Sequence, residues 1–413
     1  MMRGCVSTLS VVGAAALVFA GAATVSAQSG PPNPGVATTV PNLTAAGTIT
    51  QLATPAGAPH VGDALGLATQ LQIATTPIPA TSSGFMIKLD PSTGLQVRTA
   101  TTFGPSFAER ALTSGEGTVT VGVSFMSSTI ERLGSQSFDG FQLRSVTAPA
   151  AADSRSGVAN ITESVNTTVI VARMGVTDKL DVGVAVPLVS LKIGGSTSLV
   201  DGKGGVVAYA TGSDTASGLG DVAGIVKYRF YSFGDTQPDP GGLAVMGTLR
   251  FPTGDSANLR GLGVTRTLVS LIASGGQKRF RPHGNIGYEW WSKGLSIPSD
   301  SQSSTVTARN QIEYAAGFEF EAAPKATVLL DVVGGEVFGG GRLAFQPDPS
   351  PAAGTTSSSL VALPEGVSRV SLAPGLKVNL KGKLLLSLNA LIALKDDGLH
   401  ARVTPMAGID LTF

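Results

Sequence analysis

The chain has 413 residues, with 53 glycines, only 14% charged residues and a formal net charge of +1. Soluble proteins average about 7% glycine and about 25% charged residues, so this is not the composition of an ordinary globular enzyme. The near-zero charge excludes bulk attraction to nucleic acid. The single cysteine, Cys5, excludes a disulfide framework and thiolate metal sites.

The first residues read as an export signal. Arg3 supplies a positive start, Leu9 to Ala23 is apolar and alanine-rich, and Val25-Ser26-Ala27 offers small residues for cleavage before Gln28. Residues 1–27 are therefore expected to be removed. Beyond them no stretch approaches the ~20 continuous apolar residues of a membrane-spanning helix. A closed β-barrel is the other way for a chain to cross a bilayer with its backbone groups satisfied.

Residues 28–116 form an N-terminal segment rich in Pro, Ala, Thr and Gly up to about Thr81. Within it Val61, Ala64, Leu65, Ala68 and Leu71 share one helical face, which predicts one short helix. Phe85–Leu89 and Leu95–Phe103 have strand-like stretches. The apolar content of 60–116 predicts that part of this segment plugs the lumen or its periplasmic mouth.

From residue 117 to 413 the period is two. Strands are predicted at Val119–Phe125, Val165–Val176, Leu180–Leu191, Asp221–Phe230, Leu243–Phe251, Val264–Ala273, Phe280–Trp291, Gln311–Glu321, Lys325–Val337, Val370–Leu380, Leu384–Leu394 and Ala401–Phe413. That is about twelve, or fourteen if the two earlier stretches join them. Short turns such as Thr177-Asp178-Lys179, Ala322-Ala323-Pro324 and Lys381-Gly382-Lys383 alternate with long linkers at Ser127–Asn160, Gly194–Gly220, Pro252–Gly263, Ser292–Ala308 and Gly339–Val367. This alternation is the pattern of an all-β, up-and-down antiparallel transmembrane barrel with short periplasmic turns and longer external loops.

The strand faces agree. Ile312, Tyr314, Ala316, Phe318 and Phe320 share one face, with Gln311, Glu313, Gly317, Glu319 and Glu321 opposite. Ile286, Tyr288 and Trp290 stand opposite Arg281, His283, Asn285 and Glu289. A Lys or Arg on the lipid face at the midplane costs about 2–4 kcal/mol, which assigns the charged faces to the lumen. The lumen and selectivity candidates are Glu313, Glu319, Glu321, Arg250, Arg281, His283, Glu289, Arg402 and Asp410. Val264–Ala273 and Val165–Val176 have aliphatic residues on both faces and leave their orientation open. The last strand carries Val403, Ile409 and Leu411 on its lipid face and ends in Phe413. It looks like the closing strand of Gram-negative outer-membrane barrels, whose terminal aromatic residue is read by the assembly machinery. Pro374 and Pro405 fall on lipid faces, where a missing N–H marks a bulge or a kink that opens a lateral exit.

Three motifs carry a family resemblance. They are Ser217-Gly218-Leu219-Gly220-Asp221-Val222 running into Lys227-Tyr228-Arg229-Phe230, then Leu249-Arg250-Phe251-Pro252-Thr253-Gly254-Asp255 with Gly261-Leu262-Gly263, then Gly284-Asn285-Ile286-Gly287-Tyr288. Their order and spacing over roughly 160–413 resemble the outer-membrane transporter family of the phenol-degradation meta-pathway, distant relatives of FadL-type hydrophobic-compound channels. Phe103-Gly104-Pro105-Ser106-Phe107-Ala108-Glu109-Arg110 resembles an N-terminal block of some members. The resemblance implies a Gram-negative outer-membrane channel that passes small hydrophobic or aromatic compounds. It supplies no binding residues. By their chemistry Asp221 and Asp255 read either as turn formers or as acids guarding the external mouth.

Two other classes stay open: a non-transporting structural or surface-display barrel, and an outer-membrane hydrolase. The hydrolase needs a serine beside a histidine. Beyond residue 27 the histidines are His60, His283 and His400. No catalytic residue, metal site or cofactor is assigned.

Overall fold

Alternation of side chains with period two decides which residues can share a surface, and here it separates large apolar side chains from charged ones along most strands. A computed structural model describes residues 44–56, 59–81, 84–89, 96–98, 100–234, 241–276, 279–299, 304–349 and 351–413. The expected export signal lies outside the described residues.

Twelve strands make the barrel: β1 Val119–Ile130, β2 Arg155–Thr177, β3 Leu180–Asp201, β4 Ala223–Phe233, β5 Gly241–Arg250 and β6 Arg266–Ser274. The other six are β7 Phe280–Trp291, β8 Thr305–Ala323, β9 Ala326–Phe338, β10 Val367–Lys381, β11 Leu384–Asp396 and β12 Val403–Thr412. Each pairs antiparallel with its sequence neighbours, and β12 closes on β1 from Met406↔Met126 to Thr412↔Thr120. The fold is a closed antiparallel twelve-stranded barrel. The fourteen-strand alternative is not realised, because Ile87–Leu89 and Gln96–Arg98 pair with each other in a separate ribbon.

Burial is inverted relative to a water-soluble core. Val123, Phe125, Ile286, Trp290 and Ile409 point outward and are exposed, and Leu271 is 52% exposed. Arg266, Arg281, Glu319, Asp331 and Lys377 point inward and are buried. The two strands with open orientation now have one. Leu268, Ser270 and Ile272 face the lumen on β6, as do Val165, Val169 and Arg173 on β2. Inward aliphatics were ambiguous because they pack against the N-terminal segment rather than against water.

Three of the long linkers turn out to be largely strand. β2 and β3 run past the expected ends, and Val206–Leu219 continues the sheet beside β3. Phe141–Thr147 pairs with β2, and the hairpin Arg342–Pro347/Thr356–Leu363 joins it. Together they raise a crown above the barrel. The outward residues of β2 change there from Ile170 and Met174 to Asn160, Thr162, Ser164 and Asn166, so the apolar half of the alternation disappears and the segment reads as a loop. Neither Pro374 nor Pro405 sits at a register shift. The β10–β11 ladder holds one register from Leu372↔Ile392 to Gly375↔Asn389, and Pro405 pairs with Ala390.

The N-terminal segment has two helices rather than one: α1 Ala45–Ala53 and α2 Pro59–Thr75. Thr44 caps α1 by accepting from the Gly47 N–H at 3.2 Å. Gly62 lets the helices touch, since a Cβ there would stand 2.5 Å from the Thr50 Cα. Gly47 and the Thr48/Thr50 pair weaken the helical signal of α1, which is why it read as tail. Both helices pack inside the crown with Phe141, Leu191, Leu262 and Leu360. Of the chain that follows, the described stretches 76–81 and 100–114 lie in the lumen as an irregular strap. It turns at Gly115 and Gly117, both at positive φ, and enters β1 at the short-turn end. The segment thus fills the lumen along its length, and its helices stand at the long-connection end.

Candidate functional site

An irregular chain inside a barrel presents backbone donors that no ladder satisfies, so the wall must supply acceptors. It does so with charged side chains. Glu319 accepts from the Gly104 N–H at 2.9 Å. Asp331 Oδ2 accepts from Ser106 and Phe107, each at 3.2 Å. Thr327, Asn285 and Ser274 accept from the N–H groups of Phe103, Glu109 and Ala111. In return Lys377 Nζ donates to the Pro105 carbonyl at 2.6 Å, and Lys227 Nζ to that of Arg110 at 3.3 Å. Strap and wall also exchange ion pairs: Lys227 with Glu109 at 3.6 Å, and Arg110 with Glu319 at 3.9 Å. The block Phe103–Arg110 is therefore gripped by the barrel along its length.

A second charged tier lies nearer the crown. Glu289 on β7 binds Arg250 and accepts from Trp291 Nε1 at 2.9 Å, Gln311 Nε2 at 3.0 Å and Arg266 Nη1 at 3.5 Å. Arg266 also donates to the Ala74 carbonyl at 3.0 Å, tying the tier to the end of α2. Arg250 reaches Glu313 at 3.7 Å.

Between the tiers is a cavity of about 160 Å3. Its apolar wall includes Ile78, Phe107, Ile225, Met246, Leu268, Val333 and Leu391, and its polar wall Arg250, Glu313, Arg369 and Asp396. A smaller chamber of about 50 Å3 lies across the strap, bounded by Val169, Ala185, Val189 and Arg266. Ile73, Thr76 and Ile78 touch both chambers, so the top of the strap is the partition. Each cationic side chain of the larger cavity has an acidic one in the same wall, so the cavity is amphipathic without being a focused anion or cation site.

The candidates named from the sequence fall in different places. Glu313, Glu319 and Glu321 share the inward face of β8 but not one site. Glu319 lies under the strap, Glu313 lines the cavity, and Glu321 stands at the short-turn end. Arg281 is buried and lies opposite Glu319 in the β7–β8 ladder. Asp410 lines a small pocket with Arg173 and Lys377, and the absence of a side chain at Gly122 makes room for it. Arg402 departs from expectation. It is not in the lumen, since it precedes β12, is 66% exposed and pairs with Glu131 at 3.3 Å. Alternation cannot orient a residue outside the ladder.

Asp221 is buried, pairs with Arg266 at 3.4 Å and accepts from the N–H groups of Gly254 and Leu262. Asp255 accepts from Asn258 Nδ2 at 2.6 Å and pairs with Arg260 at 3.2 Å. The Asn258 amide holds the Asp255 carboxyl below its ordinary range. Both aspartates organise the 252–263 loop. His283 is clamped with Nε2 2.7 Å from Asp331 and Nδ1 3.7 Å from Glu319, so its ring nitrogens face carboxylates rather than a serine. No group of ligating side chains suited to a metal occurs among the described residues. No described helix is long and apolar enough to cross a membrane.

Sequence reasoning missed Asp181, Arg369 and Glu163. Asp181 accepts from the Ser114 N–H, and Arg369 donates to Gln72 Oε1 at 2.9 Å. Each is a charge at an inward position of a strand, the signal that identified the others.

No family model matches the chain, and no curated protein matches it. Among solved structures it is similar to an outer-membrane channel of Pseudomonas putida F1, at 12% identity over 73% of this chain and 98% of that one, with a TM-score of 0.44. It is also similar to the toluene transporter of Ralstonia pickettii, at 14% identity over 72% and 90% of the two chains with a TM-score of 0.31. A FadL homologue of Pseudomonas aeruginosa gives 11% identity over 82% and 98%, with a TM-score of 0.32. At these values the likeness assigns no family.

Proposed function

We propose that this chain is an outer-membrane channel for small hydrophobic or aromatic compounds, gated by its own N-terminal segment. The apolar outer face of a closed barrel supports the membrane location. It also makes lipid the outer partner, and the β12 strand leading to Phe413 suits recognition by the barrel assembly machinery. Export by a cleaved segment at residues 1–27 belongs to the same reading.

The observation that carries the transport reading is the cavity between the two charged tiers. Its volume of about 160 Å3 is that of a single-ring solute; a protein cavity of about 150 Å3 lined by apolar side chains binds benzene. The charge-paired wall tolerates a neutral polar substituent. Solute would pass as the strap yields between the two chambers.

Purified protein in liposomes tests this by uptake of toluene and phenol against a sugar of similar mass, with conductance in planar bilayers alongside. Faster entry of the aromatic solutes supports the channel. Equal exclusion of all three, with no conductance, supports the second reading, a non-transporting barrel. A lumen filled from crown to short turns is the observation that favours it.

A further inference from the structure

One buried acid stands apart from the lumen lattice. Glu163 is on β2 within the crown and is 1% exposed. It lies beyond the apolar outer band, because the outward residues on either side of it are Thr162 and Ser164. It turns inward, opposite Ile130 on β1 and Ile193 on β3, and packs under α2 among apolar side chains.

Among the described residues its carboxyl meets one polar group. Thr69 Oγ, on α2, is 3.0 and 3.2 Å from its two oxygens. That hydroxyl has a single proton and also lies 3.0 Å from the Leu65 carbonyl oxygen. An ionised Glu163 would be a buried carboxylate with at most one donor, shared with a competing acceptor. A neutral Glu163 donates to Thr69 Oγ, and Thr69 donates to Leu65, so each proton has an acceptor. The hydrogen-bond count therefore requires the acid form in the docked state.

Among the described residues no charged group on the packed elements compensates. Lys192 on β3 and Glu131 after β1 are exposed, and Glu131 pairs with Arg402. On α2, Asp63 is exposed and takes the Thr50 hydroxyl. His60 is two turns or more from Thr69.

We propose that Glu163 is a proton-operated latch: neutral, it holds α2 in the crown; ionised, it releases the α1–α2 pair. Burial pushes its carboxyl up to about 7 in the docked state, so the latch weakens as pH rises from the free-carboxyl value near ~4 and is fully weakened by about pH 7. Buried carboxylates without a partner are expelled toward water, and the route to water here is through α2.

The test reads helix docking and needs no transport, so it stands apart from the channel reading. In the full chain carrying Cys5→Ser, Ala64→Cys places a thiol on the buried face of α2, and Thr215→Cys places an exposed reference on the crown. Maleimide labelling of the first, divided by that of the second, is followed from about pH 5.5 to about pH 8.5. The expected ratio climbs up to about tenfold per pH unit between the free-carboxyl value near pH ~4 and the docked value of about 7, and levels off above it. Glu163→Gln should be flat throughout. Thr69→Val removes the one donor to the carboxylate among the described residues and should move the levelling-off to higher pH. A flat ratio in the parent chain, or a rise in Glu163→Gln like that of the parent, overturns the latch. Should Glu163→Gln fail to fold, an unmoved levelling-off in Thr69→Val overturns it equally.

Discussion

His283 and Asp331 lie 2.7 Å apart inside the barrel, and the other oxygen of the same carboxylate accepts the amides of Ser106 and Phe107. Wall and strap thus share one acid. Its charge is spent on holding an irregular backbone, which is work a neutral side chain cannot do as well.

Asp331→Ala should loosen the strap. It leaves three strap amides, those of Ser106, Phe107 and Ala108, and His283 without their acceptor, at a cost of about 1–3 kcal/mol for each buried group left unsatisfied. The expected outcome is a lower melting temperature and a larger or noisier single-channel conductance. Asp331→Asn, which keeps one acceptor oxygen, should fall between. A conductance identical to that of the parent chain would show that the strap does not limit the pore.

Filling the cavity should block single-ring solutes first. Leu268 lines it from β6 and Leu391 from β11. Leu391→Phe or Leu268→Trp adds volume on the apolar side, at an overpacking cost of about 1–3 kcal/mol. Liposome uptake of toluene should fall severalfold while the barrel stays folded by circular dichroism. Unchanged uptake would place the path elsewhere.

Pro374 and Pro405 form a seam. The unbroken register of β10–β11 puts Pro374 opposite Ala390, which pairs on its other side with Pro405. The pairing of β12 with β1 begins one residue later, at Met406. Replacing both prolines with valine restores two donors at the wall. If solute leaves sideways through this seam, hydrophobic uptake slows while ion conductance is kept. Equal uptake removes lateral exit from consideration.

Asp255 should give the 252–263 loop an acid limit. Its carboxyl is held below the usual range in the folded chain, chiefly by the Asn258 amide. Its contribution is therefore fully present above the unfolded value near pH ~4 and is lost as pH falls through the folded value. The Asn258 side chain in turn accepts from the Ala45 N–H at 3.4 Å, at the start of α1. Proteolysis of this loop should accelerate below about pH 4 in the parent chain. Asp255→Ala should show that faster cleavage already at neutral pH.

Much of the barrel was legible because an apolar outer face and a charged inner face enforce alternation. Phe280–Trp291 and Gln311–Glu321 show both signs clearly. Where one side changed, legibility failed. On β6 the lumen partner is protein, so Leu268 and Ile272 masked the inward face. On the upper part of β2 the outer partner is water, so Thr162 and Ser164 masked the outward face. Of the site, the inward charges could be named but not their use. Nothing in Glu319 or Lys377 says that the opposite group is the backbone of Gly104 or Pro105, because those contacts join residues more than 200 positions apart.

The strap is continuous with β1, and that continuity decides how the lumen can empty. Its last residues are pinned beside the short turns: Ser114 binds Asp181, and the Gly117 N–H donates to the Gly175 carbonyl. The helices that stopper the crown lie at the opposite end of the barrel. A plug tethered at its foot and corked at its head cannot drop out below. It can only pay out upward like a bell rope, and its length between Thr76 and Ser114 limits how far the cork can travel while the foot stays fixed.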